Sequence, residues 1–377
     1  MAHELVIFGE DWGGLPSSTQ HLARHLIERG HRVLWVNSIG LRRPRLSDAS
    51  RVIRKISSAL RAPQIAPGAA TGTAPTAILN PLAPPAPSTR IERRVARLML
   101  GRQVKHAMAR IGMKRPILWT SLPSAAIMLG ACDERAVVYY CGDDFGDLVG
   151  VDHAPVLAME QELARAADLV LAASPSLTQR FAGRNAETVP HGVDFDLFAT
   201  PAARAPSVAD DAPTAGFYGS LADWLDRDLL AETASRLPDW RFQFVGSISC
   251  DLGRLADLPN VSLEGPTPHQ ALPGFVQHWA AALLPFRDTP QIRACNPLKL
   301  REYLASGAPV VSTRFPAVES YADVVRIADG PDAYADAIRA CLGDGPEQRA
   351  FRRARVARET WRSRALTVEK LLDGLPK

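Results

Sequence analysis

One rhythm constrains this chain more than any other feature: short apolar runs, each followed by an amphipathic stretch with its own stop signal. Residues 5–8, 31–37, 116–120, 136–140 and 169–172 are too short for buried helices and rich in β-branched and aromatic residues, so they read as buried strands. Between them lie helical patterns at 17–29, with Ser17 and Ser18 as caps and Gly30 as stop, at 123–129 and at 153–166. The rhythm restarts at 214–218 and continues through strands at 242–245, 261–263 and 282–284, with a helix near 225–236. Such alternation predicts α/β architecture, with parallel sheets covered by helices and ligands at the carboxyl ends of the strands. At 377 residues there is room for two such domains, each with its own core.

The sharpest chemical pattern lies in the second half. In Asn296-Pro297-Leu298-Lys299-Leu300-Arg301-Glu302-Tyr303-Leu304-Ala305-Ser306-Gly307, Asn296 is a favoured N-cap and Pro297 suits the first helical position, where its missing N–H costs nothing. Gly307 stops the helix before the apolar strand that follows Pro309. Leu300, Tyr303 and Leu304 share one face, and Lys299 and Glu302 share another. A helix start presents free amides and a partial positive charge. With Lys299 in the first turn it suits a phosphate, while Glu302, one turn on, can accept from sugar hydroxyls. That pairing fits a nucleoside diphosphate with its ribose. The competing reading is a surface helix carrying an i,i+3 ion pair.

The stretch Glu302-Tyr303-Leu304-Ala305-Ser306-Gly307-Ala308-Pro309-Val310-Val311 resembles the donor-binding motif of GT-B glycosyltransferases, family 4 in particular, whose usual form is Glu-Ala-Met-Ala-x-Gly-x-Pro-Val-Val. Val189-Pro190-His191-Gly192-Val193-Asp194 is similar to the Pro-Asn-Gly-Val-Asp that closes the first domain of that family, with His191 replacing Asn. Tyr218-Gly219-Ser220 resembles the turn whose amides face the donor. The resemblance implies the GT-B fold, two Rossmann-like domains facing a central cleft. The acceptor domain would span 1–199, a linker 200–213 and the nucleotide-sugar domain 214–350, with a tail at 351–377 crossing back to the first domain. Glu302 would hold the ribose, and Gly219, Ser220, Asn296, Pro297, Leu298 and Lys299 would surround the phosphates; His191 and Gly192 would lie between the domains.

Two departures matter. The first Glu of the family's Glu-x7-Glu pattern falls on Ala294, which leaves contacts to the transferred sugar unassigned. The Arg and Lys that follow the glycine turn in many members are replaced by Leu221-Ala222-Asp223-Trp224, so neutralising a diphosphate passes to Lys299, Arg293 or Arg287. The implied reaction moves a sugar from a nucleotide diphosphate to an acceptor hydroxyl without a metal or other cofactor, and by resemblance it is retaining. Inversion is the alternative, and a nucleotide-sugar 2-epimerase or a non-catalytic sugar-nucleotide binder would use the same fold.

In the first half, Gly13-Gly14 sits beside a helix start. A tight turn explains such a pair, and so does the glycine loop that faces the cleft in GT-B enzymes. Cys141-Gly142-Asp143-Asp144-Phe145 follows a strand directly. Its adjacent carboxylates could act as general base or orient an acceptor hydroxyl, or could form a turn and a helix cap. Related bacterial glycosyltransferases carry a similar Asp-Asp-Phe, which makes Asp143 or Asp144 the acceptor-side candidate.

Charge adds a partner. Residues 41–115 hold sixteen Lys/Arg against Asp48 and Glu92, a local net charge of +14 within a chain whose total is +4. Segments 51–60 and 91–111 interleave apolar residues with arginines, around Pro-, Ala- and Gly-rich stretches that flank a short strand at 77–79. One reading is a solvated face over the core; the sharper one is an amphipathic patch on anionic lipid, serving a lipid-linked or membrane-surface glycan acceptor. Nucleic acid is disfavoured, because no such motif is present and no aromatic residue lies between Trp35 and Trp119. Five cysteines without a Cys-x-x-Cys pair predict reduced thiols, and no basic n-region or long apolar run precedes the first strand. The expected location is therefore cytoplasmic, peripheral at the inner face of the plasma membrane. A basic helical tail is expected over 346–375.

Overall fold

Short runs that are apolar on every side chain are stable only between two layers of helix, and each becomes a strand of a fully parallel sheet. The computed structural model describes residues 2–14, 16–38, 73–84, 87, 89–146, 153–208 and 211–376. They divide into two compact units, one comprising Met1–Pro190 with Arg364–Lys377 and the other His191–Ser363.

The first unit contains β1 (Glu4–Gly9), α1 (Ser18–Glu28), β2 (Arg32–Asn37), β3 (Ala77–Leu79), α2 (Arg90–Arg110), β4 (Ile117–Thr120), β5 (Ala136–Cys141), α3 (His153–Ala166), β6 (Leu169–Ala172), α4 (Pro175–Gln179) and β7 (Ala186–Thr188). Its seven strands run in the order β3-β2-β1-β4-β5-β6-β7. Ile7 of β1 stands opposite Trp35 on one side and Trp119 on the other, and both indoles are buried. Gly9 is required at the end of β1, because a Cβ there would come within 2.7 Å of the Trp35 ring. Ser17 caps α1 by accepting from the Gln20 amide at 3.3 Å. Thr89 and Glu92 form a capping box at the start of α2. The helical segment expected at 123–129 winds as a 3-10 helix over residues 123–128.

The core side of α2 is Ala96, Leu100, Val104, Ala107 and Met108. Val95 and Leu98 face solvent together with Ile91. The predicted amphipathic segment 51–60 lies outside the described residues.

The second unit contains α5 (Phe195–Ala199), β8 (Thr214–Tyr218), α6 (Arg227–Arg236), β9 (Arg241–Val245), β10 (Val261–Glu264), α7 (Pro273–Val276), β11 (Ala281–Leu284), α8 (Pro290–Ala294), α9 (Leu298–Ser306), β12 (Val310–Ser312), α10 (Pro316–Glu319), β13 (Val325–Ile327), α11 (Pro331–Ala340) and α12 (Pro346–Val356). Its strand order is β10-β9-β8-β11-β12-β13, again all parallel. Residues 200–208 pack within this unit: the Ala202 amide donates to Gln277 Oε1 and the Ala205 amide to the Gly274 carbonyl, each at 2.9 Å.

The tail is two helices where one was expected. Between α12 and α13 (Trp361–Asp373) the backbone leaves the helix to pair with residue 193. The Val193 amide donates to Glu359 O at 2.9 Å, and the Trp361 amide to Val193 O at 3.3 Å. In the first unit, Glu369 accepts from Arg29 and His31, while Asp373 accepts from His3. No helix among the described residues is long and apolar enough to cross a membrane.

Candidate functional site

In a doubly wound sheet the ligand crevice opens where the strand order reverses. In the second unit that place is between β8 and β11, so the residues that follow β8 and those carried by α9 line it. The loop after β8 needs glycine twice. Gly219 adopts φ +128° and Gly246, after β9, φ +150°; a Cβ on Gly246 would stand 2.7 Å from the Gly219 carbonyl carbon. The Gly219 amide donates to Val245 O at 2.8 Å, which locks the two loops together. Across the bare Cα of Gly219 runs the Lys299 side chain, whose Nζ would lie 2.8 Å from a Cβ placed there. The ammonium is held against aromatic faces, 5.5 Å from the Phe217 ring centre and 5.6 Å from that of Trp224.

The helix carrying Lys299 begins one residue later than expected. Pro297 is the N-cap of α9 and no side chain caps it. Asn296, expected to do so, is drawn away: its Oδ1 accepts from Arg301, a buried guanidinium that also donates to Glu359 Oε2 at 2.8 Å. The buried cation thus takes an acceptor that stands just before the helix start. Residues 300–306 are all buried, which excludes the plain surface helix.

Glu302 is the most constrained residue here. Its Oε2 accepts from Tyr218 OH at 2.6 Å and its Oε1 from His269 Nε2 at 2.9 Å. Burial alone would push this carboxyl up; the hydrogen bond and field of His269, the hydrogen bond from Tyr218 and nearby Lys299 hold it below the usual carboxylate range. It is therefore an ionised acceptor one turn from an ammonium. Tyr218 is positioned in turn by Tyr303, whose hydroxyl accepts from the Tyr218 amide at 3.2 Å.

The remaining candidates separate. Ser220 is exposed, 3.4 Å from Ser249 Oγ. Arg293 makes a two-pronged pair with Asp288, both bonds 2.6 Å, and Arg287 lies 3.5 Å from Asp228, so both already face carboxylates. A pocket of about 420 Å³ near β11 and β12 is rimmed by Asp226, Asp228, Glu232, Asp288 and Asp329 against Arg314, the wrong sign for a diphosphate. His191 is buried beside Trp361, with ring centres 6.1 Å apart. A Cβ on Gly192 would lie 2.6 Å from the Trp361 amide nitrogen, so glycine permits the backbone pairing of residues 193 and 360.

In the first unit, Gly13 takes the left-handed φ of +80° in the turn after β1. Its amide donates to Gln20 Oε1 at 3.1 Å, and the Gly14 amide to Asp11 O at 3.0 Å, tying the turn to α1 at the point where this sheet's order reverses. Asp143 and Asp144 differ. Asp144 Oδ1 accepts from Arg180 Nη1 at 2.6 Å and from the Gly146 amide at 3.0 Å. Arg180 also reaches buried Glu160, which accepts from Tyr139 OH at 2.8 Å. Asp144 thus holds the loop, and Asp143 is exposed beside it.

Comparison with known proteins agrees with this geometry. The family model described as Glycosyl transferases group 1 matches residues 212–344. Sucrose-phosphate synthase from Thermosynechococcus elongatus superposes with a TM-score of 0.71 over 98% of both chains, at 16% identity. The chain has the GT-B fold, and residues 212–344 match the group 1 glycosyl transferase family model. Anabaena HepE, crystallised with UDP and glucose, has a TM-score of 0.69 over 99% of this chain and 100% of its own, at 13% identity. TuaH of Bacillus subtilis (strain 168), assigned by its name to teichuronic acid biosynthesis as a glycosyltransferase, is 29% identical over 224 residues. That match spans 54% of this chain and 56% of TuaH, so the chain covers about half the length of this relative.

Three residues that shape the candidate site escaped the sequence. Gly246 was readable, as a glycine closing the apolar run 242–245. Arg301 and His269 were not: nothing in their spacing announces that one engages Asn296 and the other meets Glu302 from a loop 33 residues away.

Proposed function

We propose that this protein is a glycosyltransferase that moves a sugar from a nucleoside diphosphate donor to an acceptor hydroxyl. The observation that carries the reading is Lys299: an ammonium fixed over the Gly219 turn, at an α-helix start without a side-chain cap, one turn before the ionised Glu302. A departing diphosphate would gain charge at that ammonium and those amides, and each fixed donor of this kind is worth roughly 3 kcal/mol in the transition state. Lysine and helix end supply the positive charge, so the reaction needs no metal. The nucleotide would occupy the second unit and the acceptor the first. HepE was crystallised with UDP and with UDP-glucose, which supports a uridine donor here. We take the reaction to be retaining. Were it inverting, the base would be Asp143 or Asp144, the latter also paired with Arg180.

The acceptor side is proposed to lie at an anionic membrane, as for a lipid-linked glycan. Support comes from α2, where Ile91, Val95 and Leu98 line the outward face at 78%, 41% and 56% exposure. Arg94, Arg102 and Lys105 flank or continue that line, and Glu92 is the helix's one acidic residue. An apolar ridge among cations fits anionic lipid better than water. Because the TuaH name points to a cell-surface polysaccharide, assembly of such a polymer at the inner face of the membrane is the setting we propose.

A thermal-shift screen of nucleotide sugars tests the donor: a ligand at 100 times its Kd adds about 2.7 kcal/mol of stability. Donor turnover should vanish in Lys299→Ala and Glu302→Ala. No shift with any nucleotide sugar would refute the reading, and epimerised donor released without acceptor would reassign the enzyme as an epimerase. Flotation with phosphatidylglycerol vesicles, compared with phosphatidylcholine, tests the membrane; indifference to lipid charge refutes that part.

A further inference from the structure

We infer that His269 is a positioning residue for the donor nucleoside, fixing the Glu302 carboxylate so that its remaining lone pairs meet a ribose diol. The inference deepens the donor reading and rests on it. A carboxylate offers about four acceptor sites, two on each oxygen. Tyr218 OH occupies one on Oε2 at 2.6 Å and His269 Nε2 one on Oε1 at 2.9 Å. One site is left on each oxygen, the arrangement a pair of neighbouring hydroxyls requires. The two protein donors come from different elements, β8 and the loop after β10, so together they fix the plane of the carboxylate where either alone would leave it free to turn.

His269 is itself held in place. Its ring meets Phe198 of α5 edge-on, with centroids 5.3 Å apart and planes at 69°, and Phe198 is fully buried. Pro266 and Pro268 precede it, restricting the backbone that delivers the ring. The site is not sealed: 16% of the His269 side chain and 11% of the Glu302 side chain remain accessible. A small opening over an ionised acceptor with a defined orientation is what a sugar hydroxyl needs, whereas a purely structural ion pair gains nothing from it.

The test is calorimetric titration of wild type, His269→Gln and His269→Phe with UDP, GDP, ADP and CDP, followed by the 2′-deoxy counterpart of the tightest. Wild type should bind the ribonucleotide about ten-fold more tightly than the deoxynucleotide, the range expected for one hydrogen bond to a charged acceptor. His269→Phe should lose about ten-fold on the ribonucleotide and under two-fold on the deoxynucleotide, so that discrimination collapses. His269→Gln, whose amide can donate to Oε1, should restore much of it. Equal loss on both nucleotides, or discrimination kept in His269→Phe, overturns the inference and leaves the donor reading standing. Wild type that binds none of the four refutes the donor reading, and this inference with it.

Discussion

Replacing Lys299 by methionine removes one charge and leaves the stem that packs over Gly219. The ammonium is pre-placed by Phe217 and Trp224, at 5.5 and 5.6 Å from their ring centres, so little side-chain entropy is spent when a phosphate arrives. A unit phosphate charge about 4 Å away at an effective dielectric of 20 attracts it by about 4 kcal/mol, and the shed hydration returns part of that. Hydrogen bonds to charged groups net about 1.5–3 kcal/mol. Taking the upper half of that range, because two phosphates share the site, the loss should be about 2–3 kcal/mol, or roughly 30- to 140-fold in Kd. Titration calorimetry with UDP and with uridine separates the causes. Lys299→Met should weaken UDP by that factor and leave uridine within two-fold, while Lys299→Arg should recover much of the affinity. A change under three-fold for UDP, or an equal loss for uridine, would refute the assignment of Lys299 to the diphosphate.

Other expectations concern stability. Asp344 accepts from Arg326 at 2.5 Å and from buried Arg352 at 2.6 Å, so Asp344→Ala strands a buried guanidinium and should cost about 3–5 kcal/mol in urea unfolding; a loss under 1 kcal/mol would show the cluster to be solvated. Gly246→Ala combines a left-side φ with a backbone clash at Gly219 and should cost about 2–4 kcal/mol while weakening nucleotide binding; an unchanged melting temperature would contradict the close approach of the two loops. His3 faces Asp373, His31 and Arg135, and burial lowers its pKa from 6.5, against the hydrogen bond to Asp373 and with the help of the fields of His31 and Arg135. The unfolded chain therefore binds the proton first, and the stability this site contributes above pH 6.5 is lost progressively as pH falls below it. His3→Asn should flatten the melting-temperature profile between pH 7 and 5, and a profile as steep as wild type would exclude His3 as the cause.

How much was legible follows from the range of each interaction. Strand positions, the α9 motif and the Gly219 turn were readable because they depend on neighbours within a few residues: an apolar run too short for a helix, a glycine before a strand, a lysine three residues from a glutamate. The edge strands β7 and β13 were missed. Ala186-Glu187-Thr188 and Val325-Arg326-Ile327 carry charges and are strands only because β6 and β12 already offer an open edge. That Asp144 pairs with Arg180 was illegible for a similar reason, since the two lie 36 residues apart.

The sequence by itself determined that this is a two-sheet α/β protein and which helix carries Lys299 and Glu302 on one face. Periodicity, capping preference and glycine placement are local energies that survive any arrangement of the rest. Only the tertiary structure decided the chemistry of the individual side chains. Asn296 was engaged by a buried guanidinium, and Glu302 gained two donors, one from strand β8 and one from the loop after β10. In each case the outcome was set by desolvation, whose cost for a group depends on what the fold has placed around it.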